Sequence, residues 1–306
     1  MISHSHILVQ PVARLGVTMR RHLILTTLMS AAMALSVARA DPIKIVAAEK
    51  VYGALAQQIG GSNVAVTSVL TNLNQDPHDF EVNASTARQI ADAKLVVYNG
   101  ADYDPWMTKL LSASRAPSRK VIEVARLVNK RAGDNPHVWY DPKAISALTK
   151  VLADTLSRLD PIHRTGYAER HAAFERSMRP LVERIAELRK GYAGSAVTAT
   201  EPVFGYMADA LGLKMLNGRF QLAVMNGTEP SAKDIAGFEK HLRTRTVKVL
   251  FYNSQTSSAL AERMRTIAAS ADVPVVGVTE TQPQGMTYQQ WMLSQLDALG
   301  RALGEP

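Results

Sequence analysis

The sequence predicts an α/β fold of two lobes, each a parallel β-sheet flanked by helices, bridged by one long backbone α-helix. Three observations predict it. Seven short apolar, β-branched runs recur, separated by helix-length segments. One long amphipathic stripe separates the first four runs from the last three. The chain, at 306 residues, is long enough for two cores.

Taken in order, runs 43–48, 64–70, 94–98 and 120–124 read as strands of a first sheet, and 196–200, 247–252 and 274–278 as strands of a second. Between them, Asp141-Pro142 and Asp160-Pro161 each read as a helix N-cap followed by proline at the first helical position. Tyr167, His171, Phe174, Met178, Leu181, Ile185 and Leu188 then recur at alternating spacings of four and three, which marks one amphipathic helix. From residue 164 to 190 it spans roughly 40 Å at about 1.5 Å per residue. Pro180 lies inside it and predicts a kink, because proline has no N–H to give to the preceding turn. The expected organisation is a first lobe at 41–160, the connector helix at 161–191 and a second lobe at 192–306. No internal repeat or low-complexity stretch is visible.

The N-terminus carries export chemistry. Met19-Arg20-Arg21-His22 is basic, residues 23–37 are apolar or small, and Ala38-Arg39-Ala40 forms a small-residue cleavage site. Residues 1–40 therefore read as a signal peptide removed after Ala40, with Met19 as the true start. The apolar run is too short for a membrane span, which needs about 20 residues. Setting aside the four arginines of residues 1–40 leaves 31 basic against 27 acidic residues, so the charge gives no reason to expect a nucleic-acid partner. The absence of cysteine excludes disulfides, thiolate metal ligands and a lipid-bearing cysteine, and points to a soluble periplasmic protein.

Four places carry candidate chemistry. Asp76-Pro77-His78-Asp79-Phe80-Glu81 follows the second strand, and Asn135-Pro136-His137-Val138-Trp139-Tyr140 precedes the Asp141-Pro142 helix start. In both, proline holds the residue before it away from helix, so the imidazole is presented from a fixed loop. Glu201 and Glu280 each follow a strand, where ligands collect in open α/β sheets. Two imidazoles and two carboxylates suit one divalent cation. Each also has a plainer reading: the histidines as loop residues bonded to backbone, the glutamates as charges favoured at helix N-termini. His171 lies on the apolar stripe and is expected to be packed, whereas His163 and His241 are expected to be exposed. Asp102-Tyr103-Asp104 reads as a solvated loop.

These residues carry a family resemblance. The chain resembles the cluster A-I solute-binding proteins of zinc and manganese ABC importers, over nearly all of residues 41–306. The motifs are the Asp-Pro-His loop ending at Glu81, Ala-Asp-Ala-Lys-Leu-Val-Val-Tyr-Asn-Gly at 91–100, Pro-His-Val-Trp-Tyr-Asp-Pro at 136–142, Phe204-Gly205-Tyr206 and Leu211-Gly212-Leu213. The resemblance implies one divalent transition metal (Mn2+, Fe2+ or Zn2+) held as transported ligand by His78, His137, Glu201 and Glu280. Glu201 stands where the family has His or Glu, and Glu280 where it usually has Asp. The implied partners are an inner-membrane permease with its cytoplasmic ATPase, with room for a metallochaperone, and the receptor itself is expected to be a monomer. Asp76 is the expected partner of an imidazole.

Two departures bear on the metal. A third histidine is missing at Glu201, and residues 112–134, where many relatives carry a His-rich loop, are basic and hold no histidine. The harder oxygen donors favour manganese or iron over zinc. Repulsion between Glu201 and Glu280 is expected to hold the metal-free cleft slightly open. A secreted metal-dependent hydrolase is the rival reading, but no HExxH arrangement supports it. An adhesin-like interaction role is a third. N-terminal sequencing of the exported protein is expected to read Asp41-Pro42-Ile43, and a precursor peptide spanning residues 2–18 would overturn the Met19 start.

Overall fold

The computed structural model describes residues 1, 2, 4, 8, 41–71, 80–256 and 258–305. The signal peptide, its cleavage after Ala40 and the Met19 start lie outside the described residues, as do Asp76 and His78. Met1–Asp41 forms a unit of its own, and the description below concerns Pro42–Pro306.

Strands β1 (Ile43–Glu49), β2 (Val64–Leu70), β3 (Leu95–Tyr98) and β4 (Lys120–Glu123) form one sheet. Strands β5 (Ala196–Ala199), β6 (Lys214–Leu216), β7 (Leu250–Asn253) and β8 (Val275–Val278) form the other. All pairings are parallel, in the orders β2-β1-β3-β4 and β6-β5-β7-β8. Parallel strands require crossover connections, and the helix-length segments between the runs supply them. Strand β6 is the one that the sequence hid. Lys-Met-Leu is three residues long and has no β-branched member, so it carries no strand signal. The two sheets share one strand order although the sequence shows no repeat.

The connector is a bent helix. Arg164–Ser177 and Arg179–Tyr192 join at Met178, whose backbone stays right-handed helical at φ −79° and ψ −14°. The bend falls where Pro180 withholds an N–H from the carbonyl four residues back. Tyr167, Phe174, Met178, Leu181 and Leu188 are buried, as their spacing predicts, and His171 and Ile185 are half-buried. The first half of the connector packs against helices Pro142–Leu159 and Lys50–Gly60, the second against Tyr288–Leu303. Asp141 caps its helix as expected, accepting from the Lys143 N–H at 2.9 Å. Asp160 does not cap a helix. Pro161–His163 forms a 3-10 turn, and the Asp160 carboxylate is taken by His163 Nδ1 at 2.6 Å and the Tyr167 hydroxyl at 2.7 Å.

One apolar core runs from the first sheet to the second. Its middle is aromatic: Tyr140 lies edge-on to Phe204 at 5.7 Å and to Trp291 at 5.8 Å, and Phe204 stacks on Phe251 at 4.3 Å. A connector buried along one face should depend on that face. Leu181→Ala is expected to cost about 2–5 kcal/mol in urea unfolding, whereas Val182→Ala at the exposed neighbouring position should stay within about 0.5 kcal/mol of the parent.

Candidate metal centre

The loop at residues 135–140 is held from several sides. Asn99 Nδ2 donates to the Pro136 carbonyl at 2.8 Å, and the Tyr206 hydroxyl donates to the Asn135 carbonyl at 2.6 Å. Asn135 Nδ2 donates to the Pro202 carbonyl at 2.8 Å. A carbonyl only accepts, so this contact sets the orientation of the Asn135 amide and turns Oδ1 toward His137. Oδ1 then accepts from the His137 backbone N–H at 3.1 Å and from its Nδ1 at 2.7 Å. Nδ1 therefore carries a proton, and in the neutral ring Nε2 is the nitrogen that holds the lone pair. Gly205 permits this approach, since a Cβ there would lie 2.7 Å from Asn135 Nδ2. The His137 ring is buried, with Tyr103 and Trp139 edge-on at 5.9 and 5.2 Å.

The carboxylates of Glu201 and Glu280, which follow β5 and β8, share one amide. Asn253 ends β7, and its Nδ2 donates to Glu201 Oε2 at 3.2 Å and to Glu280 Oε1 at 2.5 Å. The Thr256 hydroxyl donates to Glu201 Oε1 at 2.5 Å, and the Tyr103 hydroxyl to Glu280 Oε2 at 3.0 Å. Burial pushes the Glu201 carboxyl up from its ordinary value and the nearby charge of Glu280 adds to this, while the donors of Thr256 and Asn253 pull the other way. The two acids thus act on each other as expected, and neutral donors on all four oxygens bridge and screen them.

His137 Nε2 faces Glu280 Oε1 at 3.9 Å. Three of the four expected site residues thus gather in one place from the two lobes, and the fourth, His78, lies outside the described residues. Among the described residues, no three His, Cys, Asp or Glu side chains converge as they stand into a set able to hold a metal ion. The other histidines are elsewhere. His163 is exposed as expected and bound to Asp160, and His171 sits 3.6 Å from Glu175 on the connector. His241 is half-buried rather than exposed, with Nδ1 3.1 Å from Asn217 Oδ1.

Asp102-Tyr103-Asp104 is also not the solvated loop expected of it. Only Asp102 is exposed; Tyr103 and Asp104 are buried. Asp104 accepts from the backbone N–H groups of Asn99 at 2.7 Å and Gly100 at 2.8 Å. Beside it lies Glu49, at the end of β1, with both carboxyl oxygens buried and without a well-formed hydrogen bond. Burial, and then the charge of Asp104, push the Glu49 carboxyl well above its ordinary range, and burial raises Asp104 to about 6. Glu49 is the member that keeps its proton, because Asp104 has two backbone donors to stabilise its charge.

The sequence reading missed Asn135, Tyr103, Asn253 and Thr256. The signal was available for the last two: Asn-Ser-Gln-Thr at 253–256 closes a strand run at its carboxyl end, the place where polar side chains face the cleft.

The family model described as zinc-uptake complex component A, periplasmic, matches residues 45–302, and the chain belongs to that family. It is a family of metal-binding transport receptors, not of enzymes. The zinc-binding protein AdcA of Streptococcus pyogenes is 26% identical over 275 residues, covering 76% of this chain and 50% of AdcA. The chain thus spans about half the length of the streptococcal relatives it matches. Among solved structures, the periplasmic zinc-binding protein TroA of Treponema pallidum superposes with a TM-score of 0.73 at 20% identity, over 87% of this chain and 100% of TroA. A mutant of the laminin-binding adhesin Lmb of Streptococcus agalactiae superposes at 0.70 with 24% identity, over 85% of this chain and 99% of Lmb. At such identities the likeness is one of fold. No helix of the described residues is long and apolar enough to cross a membrane.

The buried acid pair has a pH signature. Both carboxyls hold protons more tightly folded than unfolded, so stability falls as pH rises, from 3.8 to about 6 for Asp104 and from 4.5 upward for Glu49. Glu49→Gln keeps the neutral shape and removes that loss. Its stability relative to the parent is expected to rise between pH 5 and pH 8 in urea unfolding. A relative stability that falls over that range would mean Glu49 is ionised and stabilised by its surroundings.

Proposed function

We propose that the chain is the extracytoplasmic receptor of an ABC importer, with residues 1–40 as its export signal and lobes at 41–160 and 192–306 joined by the 161–191 helix. It captures one divalent transition-metal ion with His78, His137, Glu201 and Glu280, and delivers it to a permease driven by a cytoplasmic ATPase. The observation that carries this reading is the orientation of His137, held at Nδ1 by Asn135 so that Nε2 faces the Glu280 carboxylate across the cleft at 3.9 Å. An imidazole that donates one N–H to an orienting acceptor and turns its other nitrogen toward acids is arranged as a metal ligand. Small movements of the two acidic loops would close the set around an ion.

For the metal, the carboxylates are informative. The sequence favoured manganese or iron because two carboxylates supply harder oxygen donors, a preference that grows if each binds through both oxygens. Here each of the four oxygens already accepts one hydrogen bond, which favours one oxygen per acid and so a four-coordinate ion. Two imidazoles and two such carboxylates suit zinc, the metal for which the relatives AdcA and TroA are named. Zinc is therefore the proposed cargo.

Calorimetry is expected to find one ion per chain. His78→Ala and His137→Ala should each lose more than about 100-fold in affinity, beyond the 10–100-fold typical of removing a ligand's hydrogen-bond partner. His171→Ala and His241→Ala should match the parent. Equal losses in all four would mean that the wrong histidines have been named. Deleting the gene should impair growth and cellular metal content under zinc restriction; failure only under manganese or iron restriction would reassign the cargo.

A further inference from the structure

Asn253 stands apart from the four proposed ligands. It is 3% exposed, and its amide orientation is set by the loop it opens, where Oδ1 accepts from the Gln255 N–H at 3.1 Å. Nδ2 is therefore turned toward the acids, and its two hydrogens are divided between Glu201 Oε2 and Glu280 Oε1. The rest of the loop reinforces the arrangement. Ser254 donates from its backbone N–H at 2.9 Å and its hydroxyl at 3.0 Å to the Val278 carbonyl, and Gln255 Oε1 accepts from the Thr281 N–H at 2.8 Å. The segment carrying Glu280 is thereby tied to the segment carrying Asn253.

We infer that Asn253 is a positioning residue that sets the spacing of Glu201 and Glu280, holds each to one coordinating oxygen, and so biases the site toward four-coordinate zinc over six-coordinate manganese. The argument is geometric. One planar amide with two hydrogens fixes two acceptors at its own width, and an oxygen bound to an N–H is held back from turning its partner oxygen and itself onto one ion together. Of the other two donors to these carboxyls, Thr256 holds Glu201 and Tyr103 holds Glu280, one on each acid. Removing the amide shared by both acids therefore loosens their mutual spacing and eases rotation toward chelation through both oxygens. This inference rests on the metal-receptor reading above.

The test uses the exported full-length protein, with Asn253→Leu, which keeps the approximate volume and removes both donors, and Thr256→Val, which removes one donor at an exposed position and threatens folding least. Zinc and manganese affinities are measured by calorimetry, and zinc coordination by X-ray absorption. Thermal unfolding of the metal-free proteins serves as the folding control. Asn253→Leu is expected to lose about 10–100-fold in zinc affinity, to lose less for manganese, and to show a longer mean zinc–oxygen distance with a higher coordination number. Thr256→Val should shift the same quantities in the same direction by less. If Asn253→Leu unfolds, the direction and coordination change in Thr256→Val decide. Equal losses for both metals with an unchanged absorption spectrum, or no loss at all, overturn the inference while leaving the receptor reading intact. A parent protein that binds neither metal overturns both.

Discussion

The structure depends on how the loop at residues 135–140 is pinned between the lobes. This segment belongs to the first sheet's side of the molecule, yet most of its anchors are on the other. Asn135 holds the Pro202 carbonyl, next to Glu201, and the Tyr140 hydroxyl lies 2.7 Å from the Thr279 carbonyl, next to Glu280. Tyr288, on the final helix, donates to the Trp139 carbonyl at 2.9 Å. The imidazole between these anchors cannot move independently of either acidic segment. Because the anchors are partly or fully buried hydrogen bonds whose loss leaves polar groups unpaired, small displacements are tolerated and large ones are not.

The connector helix supports the same restriction. It packs its first half on helices of one lobe and its second half on the Tyr288–Leu303 helix, and the aromatic middle of the core is continuous across both. A hinge opening widely would break that core. The geometry instead favours local adjustment of the segments after β5, β7 and β8, which is where donors and acids meet.

The two lobes use one plan with different outcomes. Each sheet has the same strand order, and continuing the strand registers by two residues sets Glu49 opposite Asn99 in the first and Glu201 opposite Asn253 in the second. Glu49 ends its central strand and Glu201 lies two residues past the end of its own, each beside an asparagine at the point where the strand order reverses. In the first lobe, burial and the charge of Asp104 push the carboxyl well above its ordinary range, and Asn99 is engaged instead by Tyr52 and the Pro136 carbonyl. In the second, the carboxyl faces the cleft and receives the amide. The same position is core in one lobe and lines the proposed site in the other.

The sequence by itself determined the two parallel sheets, the bent connector and three of the residues that meet in the cleft. Those signals are local: apolar runs fix strands, a 3.6-residue period fixes a helix, proline bends it, and a polar residue after a strand faces the cleft. The short strand Lys214–Leu216 escaped because three residues carry no period. Only the tertiary structure decided which groups hold the site residues in place. Asn135 reaches Pro202 across 67 positions and Tyr103 reaches Glu280 across 177, while the strand-end positions of Asn253 and Thr256 place them toward the cleft without saying which acid each one holds. It decided, too, that Tyr103 and Asp104 lie buried while Asp102 beside them stays in solvent, since burial is set by what packs over a loop from elsewhere in the chain.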